Sequence, residues 1–504
     1  MTSDTANATQ FAPPAAETAP VHGADAVAGI AAVAGPAEAR RNRLVIRLLL
    51  VAAFVVILNE TIMGVAIPPL MRVFHASAAA AQWLTAAFLL TTAVVIPVTG
   101  FLLQRFNTRQ VFLWAMSLFS FGTLIAALAP DLPLLIVARV TQALGTAIMM
   151  PLLMTTVMML VPPESRGRTV GNISIVMSMA PAIGPTISGL ILSYLNWRWM
   201  FLLVLPIAIA ALLLGALRIP NVTTPQRVPL DGFSVLLSAF AFGGVVYGLS
   251  GIGISTPTGA VPSWLPLAAG VAFMGLFVLR QRALQRQERP LLDLRTFGSG
   301  NFSLSVLLMA VMMMVLFGVL ILLPIYLQNV LGLSTLRTGL LLLPGGLLMG
   351  VLSPPVGRLY DRVGPAPLLI PGVLIVSVVL WAMTLLGTGT PVRYILAGHV
   401  VMSAGFALLF TPLFTLSLSS VRAALYSHGS AVLGSVQQVA GAAGVALFVA
   451  LMSARMDSQR AGGALPLQAL AGGIRAAFFC GAVLSLIAVA LVLFVRRPKP
   501  APAG

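Results

Sequence analysis

The stretch Gly100-Phe101-Leu102-Leu103-Gln104-Arg105-Phe106-Asn107 has a counterpart 257 residues further along the chain, Gly357-Arg358-Leu359-Tyr360-Asp361-Arg362-Val363-Gly364. Glycine, leucine and arginine align at the first, third and sixth positions. Each stretch closes an apolar run, so the chain reads as two related halves in parallel orientation, a plan used by membrane transporters. Glycine lets a helix end pack closely and turn. Arginine can bond exposed helix-end carbonyls or a carboxylate of a neighbouring helix. Such a device can latch one helix to another and release it. A single copy would read more simply as a positively charged anchor, but two aligned copies favour the latch.

Composition says which solvent surrounds those runs. Of 504 residues, 59% are hydrophobic and 8% charged, against roughly 25% charged in soluble proteins. Mean hydropathy is +1.01. One core cannot hide that much apolar surface from water, so lipid must be the solvent. A helix needs about 20 apolar residues to cross the hydrocarbon at about 1.5 Å each. The sequence predicts fourteen spans, near 47–70, 82–103, 109–129, 134–158, 168–193, 199–217, 232–252, 262–280, 303–328, 338–357, 367–387, 393–418, 429–452 and 475–496. An even number puts both termini on one side. With the termini in the cytoplasm, 21 basic residues fall on that side. Seven fall opposite: Arg72, Arg198, Arg337, Arg393, Arg455, Arg460 and Arg475. Cytoplasmic loops carry the excess of Lys and Arg, so this orientation is expected. Losing one helix would scramble the bias, which supports the number fourteen.

The net charge of +17 invites a nucleic-acid reading. Its basic residues, however, come in small groups between apolar runs and mark cytoplasmic loops, so no nucleic acid is expected. Residues 1–43 read as a disordered cytoplasmic tail, rich in Ala, Pro and Thr, with no signal-peptide pattern. Residues 44–220 form a first six-helix bundle. Residues 221–295 hold two inserted helices and a basic cytoplasmic loop. A second six-helix bundle covers 296–497, and 498–504 make a short cytoplasmic tail. The fold class is an all-α polytopic membrane protein. Cys480 is the one cysteine and reads as a small buried hydrophobe. Four scattered histidines offer no metal cluster. No phosphate-binding G-x-x-x-x-G-K-[ST] and no G-x-S-x-G occur. No cofactor, metal or enzymatic activity is expected.

Several local patterns, in order along the helices, carry a family resemblance. The first span has Leu58-Asn59-Glu60-Thr61-Ile62-Met63-Gly64-Val65-Ala66-Ile67-Pro68, and the second opens Gln82-Trp83-Leu84-Thr85. A loop runs from Gly100 through Arg105 to Arg109. The fourth span has Arg139-Val140-Thr141-Gln142-Ala143-Leu144-Gly145. The fifth has Ala180-Pro181-Ala182-Ile183-Gly184-Pro185-Thr186-Ile187-Ser188-Gly189. Trp197-Arg198-Trp199 precedes the sixth, and Pro324-Ile325-Tyr326-Leu327-Gln328 and His428-Gly429-Ser430 with Gln437-Gln438 follow later. Over about residues 45–496 the chain resembles the major facilitator superfamily, in its fourteen-helix drug:H+ antiporter branch of the EmrB/QacA type, nearest a lincomycin-resistance-like subgroup. There are departures. The branch's first-helix Asp is Asn59 here, with the acid one place later at Glu60. Its loop Asp is Gln104, and the following Gly is Asn107. Ala180 and Ser188 replace two glycines.

The resemblance implies two six-helix bundles plus two inserted helices. It also implies proton-coupled efflux of multiple drugs or lipophilic compounds by alternating access. Glu60 is the one acid inside an apolar span, since the other eleven lie in the tail or between spans. A carboxylate that gains and loses a proton at that depth is what coupling requires; a protonated structural Glu is the alternative. Arg139 is the one basic residue deep in a span, near the outer third of the fourth helix, where it could approach Glu60 or snorkel outward. Gly184, Pro185 and Gly189 would let the fifth helix bend and pack closely. Gly145, the loop residues Gly100, Arg105 and Arg109, and Gly357, Asp361, Arg362 and Gly364 complete the packing and gating set.

Asn59, Gln82, Trp83, Gln142, Gln328, Gln437 and Gln438 are polar or aromatic positions in apolar spans. They are candidates for substrate contact, although each alone reads as an interhelical hydrogen bond. Met149, Met150, Met154 and Met312 to Met314 read as lipid-facing filler or, less simply, an adaptable wall. His399 reads as a structural histidine. The expected partners are small lipophilic substrates, protons and the lipid bilayer, in a monomer of the bacterial inner membrane; some relatives also use a periplasmic adaptor protein. Two readings compete: an exporter or facilitator of one dedicated metabolite, and an enzyme or scaffold on a transporter fold.

Overall fold

The computed structural model describes residues 36–76, 78–222, 225, 231–250, 262, 264–287 and 289–495. The described residues are 87% helical, with no strand among them. Among the described residues, fourteen helices are long and apolar enough to cross a membrane. The first six are α1 (Pro36–Val73), α2 (Ala78–Arg105), α3 (Thr108–Leu128), α4 (Leu132–Leu160), α5 (Arg166–Tyr194) and α6 (Trp199–Arg218). An inserted pair follows, α7 (Gly232–Ser250) and α8 (Trp264–Gln285). The last six are α9 (Gly300–Ile325), α10 (Thr335–Val363), α11 (Ala366–Met383), α12 (Val392–Ser419), α13 (Tyr426–Ala461) and α14 (Pro466–Val492).

Several helices outrun the apolar spans that announce them. Residues 36–43, assigned to the tail from composition, already belong to α1. α13 continues through Asp457 to Ala461. A count of apolar residues sees only the part that lipid touches; a helix continues into water as long as its backbone bonds are met. Ends are set by local chemistry. The Asp131 carboxylate accepts from the Leu134 amide at 2.9 Å and starts α4. Gly364, at φ 84°, turns the chain after α10, a conformation that suits glycine. Prolines inside α2, α4, α6, α9, α10, α11 and α12 are tolerated because neighbouring helices and hydroxyl side chains take up the freed backbone groups.

Within the first half α1 packs on α5 and α6, and α3 on α4; within the second, α13 packs on α9 and α14, and α12 on α10 and α11. The halves meet along two pairs related by the internal repeat, α5 with α10 and α2 with α13. The insert is a tight hairpin: a side chain at Gly244 or Gly248 would run into the α8 backbone at Gly270 or Leu267. α7 lies against both α2 and α13, so it straddles one of the two seams.

Candidate functional site

Arg139 is the centre of the first half. It lies seven residues into α4, about 10 Å from the helix end, and is 1% exposed. Its Nη1 donates to Asn59 Oδ1 on α1 at 3.0 Å and to Gln142 Oε1 at 2.9 Å. Its Nε donates to the Leu84 carbonyl on α2 at 3.3 Å, and its guanidinium stands 4.1 Å from the Phe88 ring centroid. Gln142 passes its own Nε2–H to Thr123 Oγ1 on α3 at 2.9 Å. A charge at this depth costs about 2.5–3.5 kcal/mol on lenient scales. Hydrogen bonds to a charged group return about 1.5–3 kcal/mol each, and the Phe88 face adds to them. Arg139 therefore ties α1, α2, α3 and α4 together.

Glu60 adjoins this cluster but stays outside its hydrogen bonds. The anticipated approach of Arg139 goes to the preceding residue, Asn59, which is buried. Glu60 feels the Arg139 charge through space. Protein surrounds its carboxyl, yet the side chain remains half-accessible. On the next turn face, the Thr61 hydroxyl donates to the Ala180 carbonyl of α5, and Gly184 leaves the room that Thr61 fills.

The other expected site residues are dispersed. Asn59 and Gln142 serve Arg139. Trp83 is 41% exposed and stacks on Tyr247 of α7 at 5.9 Å, so it faces the insert. Gln328 sits in a π-turn, Tyr326–Val330, that ends α9. Gln437 and Gln438 are half-buried on α13, and Gln437 Nε2 donates to the Leu433 carbonyl. The side chains of Gln82 and Pro185 lie outside the described residues. Gly145 admits the α3 backbone at Ala115; Gly189 has nothing within 4 Å of where a side chain would start. Arg109 Nη2 donates to the Ala216 carbonyl, fastening α3 to α6. Met149, Met154, Met312 and Met313 are buried, so they pack between helices and do not face lipid. His399 joins α12 to the Leu342 carbonyl of α10 at 3.1 Å.

The repeated loops form two latches. At the first, both Asp361 oxygens cap the start of α5: the Gly167 and Arg168 amides donate to them, each at 2.8 Å. The approach is backbone to backbone, because a side chain on Gly357 would run into the Gly167 carbonyl. At the second, Gln104 Nε2 lies 2.8 Å from His428 Nε2 at the start of α13. Gly100 lies under the same imidazole. Arg166 stands over Tyr426 at 5.3 Å, Thr155 and Ser430 share a hydrogen bond of 2.8 Å, and Thr411 donates to Ser174 at 3.0 Å. Among the described residues, the hydrogen bonds between the halves lie within about two turns of this one face. The structure is thus closed on the latch face.

Beside the second latch, the loop after α8 brings Asp293 and Arg295 near His428. Burial pushes the Asp293 carboxyl up, but the Arg295 guanidinium and amide outweigh it and hold the carboxyl below its usual range. Sequence reasoning noted His428 only as part of a motif at a helix end. Phe88, Thr123 and the Leu84 carbonyl carried no signal, since each acts through its place in three dimensions.

A two-bundle helical fold with a polar centre in one bundle and latches between the bundles defines a membrane transporter. The profile of the Major Facilitator Superfamily matches residues 49–445. The lincomycin resistance protein LmrB of Listeria monocytogenes is 40% identical over 455 residues, covering 89% of this chain and 96% of that protein. The MFS-type transporter YcnB of Bacillus subtilis is 38% identical over 455 residues, covering 90% and 95%. Among solved structures, the human organic anion transporter MFSD10 superposes with a TM-score of 0.66 at 14% identity, covering 91% of this chain and all of that one, a likeness of fold alone. The chain belongs to the major facilitator superfamily. It is a transporter and not an enzyme.

Proposed function

We propose that the chain exports drugs or other lipophilic compounds in exchange for protons, and that Glu60 carries the proton. The observation that supports this most is the half-buried Glu60, which stays outside the hydrogen bonds of a buried arginine that bonds neutral amides instead. A carboxylate locked to Arg139 would be a structural ion pair. One left out of that network can exchange its proton with the cavity as the halves rock. Resistance names among the relatives and the basic residues on the latch face support efflux, with that face and both termini in the cytoplasm of a bacterial inner membrane. One chain contributes both halves, so the monomer is the working unit. A periplasmic adaptor is not required by this scheme.

The test is proton movement in energised everted vesicles. Lipophilic cations and lincosamides are added while lumen pH is followed by dye quenching. Wild type should release protons on addition of substrate, and Glu60→Gln should not. Release that persists in the variant would move the proton site elsewhere, with His399 next to be changed. No response to any compound would favour a single dedicated metabolite.

A further inference from the structure

A buried polar clamp joins the inserted helices to the second half. At its centre is Gln281, fully buried near the end of α8. Gln281 Oε1 accepts from the Leu291 and Leu292 amides of the following loop, at 2.8 and 3.2 Å. Its Nε2 donates to Ser234 Oγ of α7 at 2.8 Å, and that hydroxyl donates to Asp231. Arg280 closes the circuit by donating twice to the same carboxylate. One turn further on, Gln285 Nε2 donates to Asp293 Oδ1 at 3.0 Å, and Arg295 pairs with that carboxylate. Leu291, Leu292 and Asp293 are all buried, so this loop is part of the packed structure.

The clamp continues into the second half. Ser303 Oγ of α9 donates to the Phe297 carbonyl at 2.8 Å, and the Phe297 ring meets Phe302 edge to face at 5.5 Å. A side chain on Gly429 of α13 would meet the same Phe302 ring in ordinary contact. Towards the first half the insert offers a different surface. α7 meets α2 through the Trp83–Tyr247 stack and through Gly243, which faces Val94 and Leu90. Packed apolar helices can slide past one another in small shear motions. A buried amide that loses its partners is costly, so the clamped side resists separation.

We propose that α7, α8 and their loop move with the second half, and that Gln281 is the positioning residue that holds them there. When the second latch opens, α7 stays on α13 and slips along α2. The proposal rests on the rocking of the halves, and not on the solute carried or on Glu60.

Spin-label distances in the full chain, on a Cys480→Ser background, test the motion. Leu217 at the end of α6, Leu279 on α8 and Phe494 after α14 are exposed, and each is changed to cysteine in pairs. The Leu217–Phe494 pair reports the rocking, in wild type and in the Gly357→Ala and Asp361→Asn variants that weaken the first latch. As that distance lengthens, the Leu279–Phe494 distance should stay fixed and the Leu217–Leu279 distance should lengthen. The reverse, with Leu279 following Leu217, overturns the proposal. Gln281→Met tests the clamp itself and needs no rocking. Hydrogen exchange at the Leu291 and Leu292 amides should quicken about tenfold. The Leu279–Phe494 distances should spread, while the Leu217–Phe494 distances keep their wild-type values. Unchanged exchange at the two amides, or an equal spread of both distances, overturns the role of Gln281.

Discussion

The two seams occupy equivalent places in the repeat and are built from different chemistry. Where α10 meets α5, a carboxylate caps a helix start and two backbones touch at Gly357 and Gly167. Where α2 meets α13, an amide meets an imidazole, Gly100 faces a side chain, and α7 covers the seam from outside. The first contact draws on the partial positive charge of a helix N-terminus, worth about 0.3–1 kcal/mol for a nearby anion, on top of charge-assisted hydrogen bonds. The second has no charged group in its hydrogen bond and leans on side-chain packing, the nearby Asp293 and Arg295, and the insert. The α5–α10 seam is therefore the stiffer of the two, and the α2–α13 seam the one that can adapt. A two-fold repeat thus does not imply two equal gates.

Glycine substitutions give the largest expected contrast. Gly357→Ala pushes a methyl into the Gly167 backbone, which has no rotamer to change. Overpacking of this kind costs about 1–3 kcal/mol, a shift of about 5- to 150-fold in a two-state equilibrium. The closed latch should open. On a Cys480→Ser background, Ser353→Cys places a thiol in the buried contact with Gly171. Its labelling by a maleimide should quicken by that factor. Gly100→Ala meets His428 Nδ1 at 3.1 Å, a contact that a small ring movement relieves, so labelling should change by less than about threefold. Equal effects at the two glycines would end the distinction between the seams.

Charge comes next. In Asp361→Asn a single amide oxygen replaces two carboxylate oxygens, so one of the two amides at the start of α5 loses its acceptor. Bonds to charged groups are worth about 1.5–3 kcal/mol, so opening should rise by about tenfold or more in the same labelling assay. Gln104→Asp is the reverse experiment. It puts a carboxylate opposite His428, and the pair gains attraction only when the ring is protonated. The gain in closure should therefore be larger at pH 5 than at pH 8, and should stay below about 1 kcal/mol. A gain of the same size at both pH values would mean that the carboxylate finds a backbone donor there, as Asp361 does.

These residues also show how far the sequence could be read. The repeat, the fourteen spans and the latch positions were all legible, because apolar length and a glycine–arginine loop are local patterns. Arg139 was legible as the lone deep cation. Its partner was not: Asn59 and Glu60 differ by one residue, or about 100° around a helix, and only the packing of α1 decides which faces α4. Trp83 misled for a related reason. An aromatic residue at the start of α2 signals neither cavity nor insert, and the inserted helices that claim it lie far away in sequence. The buried methionines were read as lipid-facing because composition does not distinguish a neighbouring helix from an acyl chain.

The smallest expected effect concerns the insert. Asp231 starts α7, and Arg280 of α8 donates to it at 2.7 and 2.9 Å. Hydrogen bonds from Arg280, outweighing partial burial and helped by Ser234, hold its carboxyl down at about 2. A depressed carboxyl stabilises the fold fully above its ordinary value near 3.9, and that contribution is lost as pH falls through about 2. The side chains are 20% and 36% exposed, so the pair is worth only about 0.2–1 kcal/mol. Asp231→Asn should lower Tm slightly at pH 7, with the gap to wild type closing between pH 4 and pH 2. Hydrogen exchange should quicken in α7 and in the part of α2 that α7 covers, while α5 and α10 stay unchanged. If exchange rises equally at α5 and α10, the insert is not confined to one seam, and the asymmetry must arise from the latch residues alone.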